Sequence, residues 1–338
     1  MAGLLYFSPL LLAGLAAGWE RVARARAANR YPAPGDFVDV GGHRLHYQVF
    51  GAQHLEESVD RPILLLEADA ADWSSHWGRL PHDLSSQYTV IAYDRAGLGW
   101  SDSGSGVRDA DTLAKELHQL LMTVAPKRRA LLVAHGQGTW VARMYAHRYP
   151  FETAGLVLLD GEFEGFADIA RRQGLPPADA STLFLRMLSI ANGFGICRLA
   201  KMELTVPQIP DHGFSDRELA AMISRGYAPS TLRTILSEQE AKIASREHLE
   251  TLDDHFEFPI RILAAEHSTL PELAPNGFPT DEYNQLFAEQ QKKWETLSSD
   301  GQFALVTGSH HYLALGSQDW VKSAIHDAFE AGLSAPVA

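Results

Sequence analysis

Cysteine is almost absent from this 338-residue chain, and positive charge is in the minority. The single Cys197 excludes an internal disulfide and a cysteine cluster for zinc or for iron and sulfur. Lysine and arginine number 29 against 42 aspartate and glutamate, which gives a net charge of -13. Because nucleic-acid phosphates require clustered cations, this balance argues against a nucleic-acid partner. The chain also lacks internal repeats and low-complexity tracts, and its 46% hydrophobic content is typical of a globular protein.

Charge is also missing from the N-terminal segment Gly3 to Trp19, which four arginines follow. As a helix the segment spans roughly 25 Å, slightly less than a typical hydrocarbon core. Because the arginines come after the apolar run, the pattern favours a retained membrane anchor over a cleaved signal peptide. The positive-inside tendency then places the body on the cytoplasmic side. The alternative is a helix that lies against the body or a partner, since Pro9 and the short length weaken a membrane span.

The rest of the chain predicts an α/β protein. Tyr31 to Gly35 is typical of a linker, so we expect an N-terminal segment at 1–34 and a body at 35–338. Short aliphatic runs alternate with helical patterns, which indicates a mostly parallel sheet flanked by helices. The predicted strands are Asp36–Val40, Arg44–Val49, Ile63–Glu67, Thr89–Tyr93, Ala130–Ala134, Gly155–Asp160, Ile260–Ala265 and Phe303–Thr307. Strand signals stop at about 163–257, which predicts an inserted helical cap.

Three segments resemble the α/β-hydrolase superfamily: TVIAYDRAGLGWSD from Thr89, LLVAHGQGTWVARMYAHRY from Leu131 and GLVLLD from Gly155. The segment DVGGHRLHY from Asp39, behind an apolar N-terminus, is similar to a membrane-anchored bacterial subgroup. The resemblance implies the α/β-hydrolase fold, with a mostly parallel eight-stranded sheet. It also implies a triad in the chain order nucleophile, acid and histidine, beside an oxyanion hole made of backbone N–H groups.

The sequence departs from this family at the nucleophile. The G-x-S-x-G motif corresponds to Ala134 through Gly138, so Gly136 stands at the nucleophile position and has no side chain that can attack. Gln137 and Asp69 mark the oxyanion-hole region. Asp69 replaces a glycine, and at about 4 Å its carboxylate would repel a developing oxyanion by on the order of 4 kcal/mol. Alternatively, Asp69 turns to solvent or caps the following helix.

Residues that match the histidine and the acid of the family's triad are present in this sequence. His311 is the better match to the family's histidine, and His310 is the second candidate. The acid is Glu266, which follows the strand at Ile260, or Asp160, which ends the preceding strand. A metal-bound water is a further alternative for side chains at this sheet edge, but no ligand spacing of the HExxH kind supports it, so we expect neither a metal nor a cofactor.

Two functions from different classes remain. The first is a pseudoenzyme that has lost hydrolase activity and acts as a membrane-associated binding or accessory subunit, for a partner protein or a small apolar ligand. The second is a serine-independent enzyme, a hydrolase or lyase, in which His311 acts as a general base.

Overall fold

An eight-stranded sheet forms the centre of the computed structural model, which describes residues 2–56, 60–174, 182–202, 206, 213–269 and 276–334. The strands are β1 Asp36–Asp39, β2 Arg44–Phe50, β3 Ile63–Glu67, β4 Val90–Tyr93, β5 Ala130–His135, β6 Thr153–Leu159, β7 Ile260–His267 and β8 Gly301–His310. Their spatial order is β1-β2-β4-β3-β5-β6-β7-β8. The two pairings of β2 are antiparallel and the other pairings are parallel. The predicted α/β-hydrolase fold is thereby confirmed.

Helices cover both faces of the sheet. They are α1 Ala2–Arg30, α2 Leu80–Leu84, α3 Ala110–Val124, α4 Gly138–Arg148, α5 Phe166–Arg172, α6 Thr182–Gly193, α7 Ile196–Leu199, α8 Asp216–Gly226, α9 Pro229–Glu250, α10 Thr280–Gln291, α11 Leu313–Gly316 and α12 Gln318–Ser334. Short 3₁₀ turns lie at Ala52–Glu56, Ser74–Trp77, Pro150–Glu152 and Lys292–Leu297. Helices α5 to α9 lie in the chain between β6 and β7, and we call them the insertion. Within the cap predicted at about 163–257, residues 175–181, 203–205 and 207–212 lie outside the described residues.

The core has two halves because successive strand residues point to opposite faces of the sheet. In β3, Ile63 and Leu65 pack on the face covered by α3 and α4, whereas Leu64 and Leu66 pack on the face covered by α12. All four side chains are buried. Burial on both faces explains why these strands appear in the sequence as continuous apolar runs.

The first helix corrects the membrane prediction. Helix α1 contains the apolar segment Gly3 to Trp19, but none of the helices in the described ranges combines the length and the hydropathy that a membrane crossing requires. Glycine, alanine and Pro9 lower the mean hydropathy of this segment, and charged residues follow from Glu20 onward. The predicted transmembrane anchor, and with it the predicted membrane localisation with the body on the cytoplasmic side, is therefore wrong.

Helix α1 instead packs against the insertion. The Glu20 carboxylate is buried and accepts hydrogen bonds from the Arg198 guanidinium at 2.9 and 3.1 Å. The Trp19 ring lies against Gly195, where the chain enters α7. A buried and paired charge of this kind fixes the position of a helix, because leaving it unpaired is costly. The helix thus lies against the body, which agrees with the alternative interpretation of this segment.

Candidate functional site

Four parallel strands bring the predicted site residues to one edge of the sheet. Asp69 follows β3, Gly136 follows β5, Asp160 follows β6 and His311 follows β8. Strands β3, β5, β6, β7 and β8 are parallel neighbours, so their carboxyl ends meet at the same edge. The site is therefore built from residues that are distant in sequence.

The turn after β5 holds residue 136 in a backbone conformation that favours glycine. Gly136 has a φ of +54°, a conformation in which a side chain is strained, and α4 begins two residues later at Gly138. A Cβ atom at Gly136 would overlap the carboxylate of Asp69. The space beside the turn is thus filled by a side chain from another strand.

The Asp69 carboxylate is held on both oxygens. Its Oδ1 accepts a hydrogen bond from the Gln137 backbone N–H at 2.5 Å, and its Oδ2 lies 3.0 Å from His311 Nε2. Asp69 therefore does not point to solvent, and its side chain does not cap the following 3₁₀ turn Ser74–Trp77 but accepts an N–H at the N-terminus of α4. The charge that would repel an oxyanion is instead stabilised by a backbone donor and an imidazole.

Asp160 is the acid that contacts His311. Its Oδ2 lies 2.7 Å from His311 Nδ1. Its Oδ1 accepts hydrogen bonds from the Ala265 N–H, the Ser268 hydroxyl and the Gln291 amide at 2.8–3.0 Å. The carboxylate is fully buried and fully hydrogen-bonded, so it holds the ring in one orientation.

Glu266 and His310, the alternative acid and the alternative histidine, have other neighbours. Glu266 accepts a hydrogen bond from the Gly308 N–H at 2.6 Å, and its side chain is 41% exposed. The ring of His310 packs against Gly316. The structure thus joins Asp69, His311 and Asp160 in one chain of contacts and leaves Glu266 outside it.

Two carboxylates determine the charge of His311. Burial disfavours its protonated form, but the hydrogen bonds and charges of Asp160 and Asp69 outweigh burial and raise the pKa of His311 to about 10. Burial likewise opposes the charged forms of both acids, and the contact with His311 nevertheless holds the pKa of Asp69 and of Asp160 below the ordinary value. At neutral pH the trio is therefore a carboxylate, an imidazolium and a second carboxylate.

His135 lies against this trio as a neutral ring. Its Nε2 donates a hydrogen bond to the His311 carbonyl oxygen at 2.9 Å, because a carbonyl can only accept. Burial, assisted by the positive charge of His311, lowers the pKa of His135 to about 4. Nδ1 of the neutral ring is therefore without a proton. One ligand atom from each of Asp69, His135 and His311 lies within 4.8 Å of the others.

A buried arginine that the sequence analysis did not single out supports the Asp69 loop. Arg95 Nη1 donates to Glu67 Oε1 at 2.6 Å and to the Ala68 carbonyl at 2.7 Å, while Nη2 donates to the Asp69 carbonyl at 2.6 Å. Glu238 of α9 contacts the same guanidinium at 3.2 Å. The sequence signal for this role is a cation two residues after the buried strand β4, within the segment TVIAYDRAGLGWSD.

We expect the free energy of unfolding to fall at alkaline pH, because the His311 ion pairs are lost there. The folded-state pKa of about 10 lies above the ordinary 6.5, so this stabilisation is complete below about pH 6.5 and is lost as the pH rises towards 10. His311→Gln should lower the free energy of unfolding by about 2–3 kcal/mol near pH 6, since it leaves two carboxylates without their cation. Urea unfolding of both proteins across this range measures the difference. A difference that stays constant up to pH 10 would contradict the assignment.

Comparisons with known proteins agree with this architecture. Residues 61–185 match the family model described as the alpha/beta hydrolase fold. The uncharacterized protein YqjL of Bacillus subtilis is 33% identical over 111 residues, which cover 33% of this chain and 44% of that protein. A cis-3-alkyl-4-alkyloxetan-2-one decarboxylase of Shewanella oneidensis is 27% identical over 132 residues, 38% of this chain and 39% of the enzyme. The alignments cover only 18–54% of the first curated relatives.

Solved structures extend the likeness to almost the whole chain. Cfl2 from Burkholderia cenocepacia superposes with a TM-score of 0.62 and 21% identity, over 87% of this chain and 94% of that one. A putative epoxide hydrolase from Pseudomonas aeruginosa gives a TM-score of 0.62 and 17% identity, over 89% and 99%. At these identities the likeness concerns the fold. The chain therefore has the α/β-hydrolase fold, and its residues 61–185 are similar to the alpha/beta hydrolase family.

Proposed function

We propose that this protein is a pseudoenzyme of the α/β-hydrolase fold that binds a small apolar molecule and does not hydrolyse it. The observation that carries the proposal is the pairing of Gly136 with Asp69. In this proposal Gly136 takes the nucleophile position, and the Asp69 carboxylate fills the space of the missing side chain and accepts the Gln137 N–H. A substrate carbonyl would have to displace a charged group from the donor that stabilises an oxyanion.

The charge state of His311 supports the same proposal. A general base must be unprotonated at the working pH, whereas the two acids raise the pKa of His311 to about 10. The side chains of Asp69 and His311 are also only 18% and 26% exposed. The contacts of His311 with Asp69 and Asp160 are thus typical of buried structural ion pairs and not of an unprotonated general base.

A separate cavity gives the binding function a location. A space of about 440 Å³ lies between the linker, the loop after β3 and helix α8 of the insertion. Its lining includes Tyr31, Pro32, Phe50, Pro81 and Trp100. Its lining also includes the polar residues Gln48, His82, Arg217 and Glu218. This volume and this mixed lining suit a small molecule that is apolar over most of its surface.

A second candidate function is epoxide hydrolysis, which the epoxide hydrolase among the structural neighbours suggests. The observation in its favour is the position of Asp69, a carboxylate held by a backbone N–H and a histidine. Asp69 would attack an epoxide carbon, the ring C–O bond would break, and the alkoxide would take the Nε2 proton of His311. With the Asp69 charge lost in the ester, neutral His311 would deprotonate water. That water would attack the ester carbonyl, release a diol and restore the carboxylate.

Substrate incubations followed by intact-mass measurement test both candidates. We expect the native protein to leave aryl esters and styrene oxide unchanged and to gain no mass from a fluorophosphonate. Gly136→Ser alone should also be silent, because Asp69 still fills the space. The double variant Asp69→Gly with Gly136→Ser should hydrolyse aryl esters at least about 10²-fold faster than the native protein, since it restores a nucleophile beside His311.

The contrary outcomes are distinct. Ester hydrolysis by the native protein that disappears in His311→Ala would refute the pseudoenzyme proposal. Styrene oxide turnover that disappears in Asp69→Asn, with a covalent adduct accumulating in His311→Gln, would replace it with the second candidate. Glu266→Gln is the matched control, because this acid lies outside the trio and its loss should change none of these results.

A further inference from the structure

The cluster of Asp69, His135 and His311 has the composition of a metal site. One carboxylate and two imidazoles, each with a potential ligand atom, lie within 4.8 Å of one another. Nitrogen and oxygen donors in this number are the usual ligands of a zinc ion with a position left for water. The three residues lie at the carboxyl ends of three different strands, His135 as the last residue of β5, so the cluster arises from the fold and from no short sequence motif.

Each member of the cluster is oriented by a partner of its own. The Gln137 N–H holds Asp69 Oδ1 and leaves Oδ2 facing His311. Asp160 binds Nδ1 of His311, so Nε2 is the nitrogen that faces the cluster. The hydrogen bond from His135 Nε2 to a carbonyl leaves Nδ1 of the neutral ring as a lone-pair donor. Carboxylates and carbonyls of this kind are the usual outer partners of metal ligands.

The spacing of two of the ligand atoms suits a shared ion. Two atoms about 2.0 Å from a zinc ion at a tetrahedral angle lie about 3.3 Å apart. Asp69 Oδ2 and His311 Nε2 are 3.0 Å apart, so they need to separate by only a few tenths of an ångström to share a cation. The cation would replace the proton that now lies between them, and that proton would pass to solvent.

From these contacts we propose that Asp69, His135 and His311 bind one divalent cation of the zinc class. Asp160 and Gln137 act as positioning residues through their bonds to His311 and Asp69. The cation would lie beside the carboxylate of Asp69, and water would complete its coordination. This inference concerns metal binding and goes beyond the proposed function.

Metal titration of the full chain tests the site without any measurement of turnover. The chelator-treated protein is titrated with zinc chloride in a calorimeter and with cobalt chloride in a spectrophotometer. We expect one equivalent of either ion to bind, with cobalt giving the visible absorption of a four- or five-coordinate complex. Asp69→Asn and His135→Gln should each weaken binding by more than about 100-fold, and Asp160→Asn by about 10–100-fold.

The controls separate this site from adventitious histidine binding. His267→Gln removes an exposed imidazole that is not in the cluster and should leave the affinity unchanged. Far-ultraviolet circular dichroism establishes that each variant is folded, and the cobalt spectrum of Asp160→Asn reports altered coordination where folding is intact. The absence of one-equivalent binding to the native chain would overturn the proposal. Binding that survives both Asp69→Asn and His135→Gln would also overturn it.

Discussion

Arg95→Met is expected to lower the free energy of unfolding by about 3–5 kcal/mol, because it leaves buried carboxylates without their cation. Arg95 is 4% exposed, and its main partner Glu67 is completely buried. Burial raises the pKa of Glu67, with the charge of Arg95 opposing it, so Glu67 would take up a proton once Arg95 is lost. Methionine keeps most of the side-chain volume, which confines the change to charge and hydrogen bonding. Chemical denaturation at neutral pH measures the loss.

A surface arginine provides the matched control for this prediction. Arg44 pairs with Asp102 at 2.9 Å, but the two side chains are 56% and 41% exposed. Solvent screens such a pair, so Arg44→Ala should cost much less stability than Arg95→Met. Equal losses for the two arginine variants would contradict the role assigned to Arg95.

Additional variants cover the case in which Arg95→Met does not fold. Arg95→Lys keeps the charge and loses the planar fork, so we expect an intermediate loss of stability. Adding Glu67→Gln to Arg95→Met should recover part of the stability, because an amide is neutral without the free-energy cost of protonating the carboxylate. Arg95 also binds the Asp69 carbonyl and Glu238 of α9, so these variants report on the tie between the insertion and the site.

Gly136→Ala is expected to cost about 2–6 kcal/mol, from two sources. A side chain at a φ of +54° is strained by about 1–3 kcal/mol. The new Cβ also overlaps the Asp69 carboxylate, and overpacking of this kind adds about 1–3 kcal/mol. Because the second source depends on Asp69, the two positions should not behave independently.

A double-mutant cycle measures separately the cost of the overlap between the new Cβ atom and the Asp69 carboxylate. In the Asp69→Gly background the alanine at 136 should cost only the backbone strain, so we expect a coupling of at least about 1 kcal/mol between the positions. Gly106→Ala is the control, since Gly106 has a φ of +78° and nothing within 4 Å of a Cβ atom. If Gly136→Ala costs no more than Gly106→Ala, then Asp69 does not fill the space beside the turn.

The strands show how much of the fold can be predicted from sequence. All eight predicted strands are present, and each end lies within three residues of its prediction, as in Gly155–Asp160 against Thr153–Leu159. The amphipathic pattern of Asp216 to Gly226 also predicts a helix, and α8 has these bounds. These elements can be predicted because apolar runs, glycines and caps are local signals. For the same reason Gly41 and Gly42 predict an antiparallel hairpin between the first two strands, which the structure contains.

The membrane span predicted for the N-terminal helix is wrong because the contacts that decide its position are not local. The uncharged segment Gly3 to Trp19 suggested a membrane span by itself. Glu20, which the sequence assigns to the charged flank, is a buried residue paired with Arg198, 178 positions away. This contact forms only when the insertion packs against α1, so it cannot be predicted from the N-terminal segment alone.

The candidate site likewise combines features that the sequence determines with features that only the tertiary structure decides. The sequence by itself determined that Gly136 has no side chain, that Asp69 stands near the turn, and that a histidine follows the last strand. It could not choose between Glu266 and Asp160, because both follow strands whose carboxyl ends meet at one edge. Only the tertiary structure decided that Asp160 reaches His311 while Glu266 binds the Gly308 N–H. The direction of the Asp69 side chain and the buried role of Arg95 were also decided there, since hydrogen bonds between residues tens to hundreds of positions apart depend on how the strands are ordered.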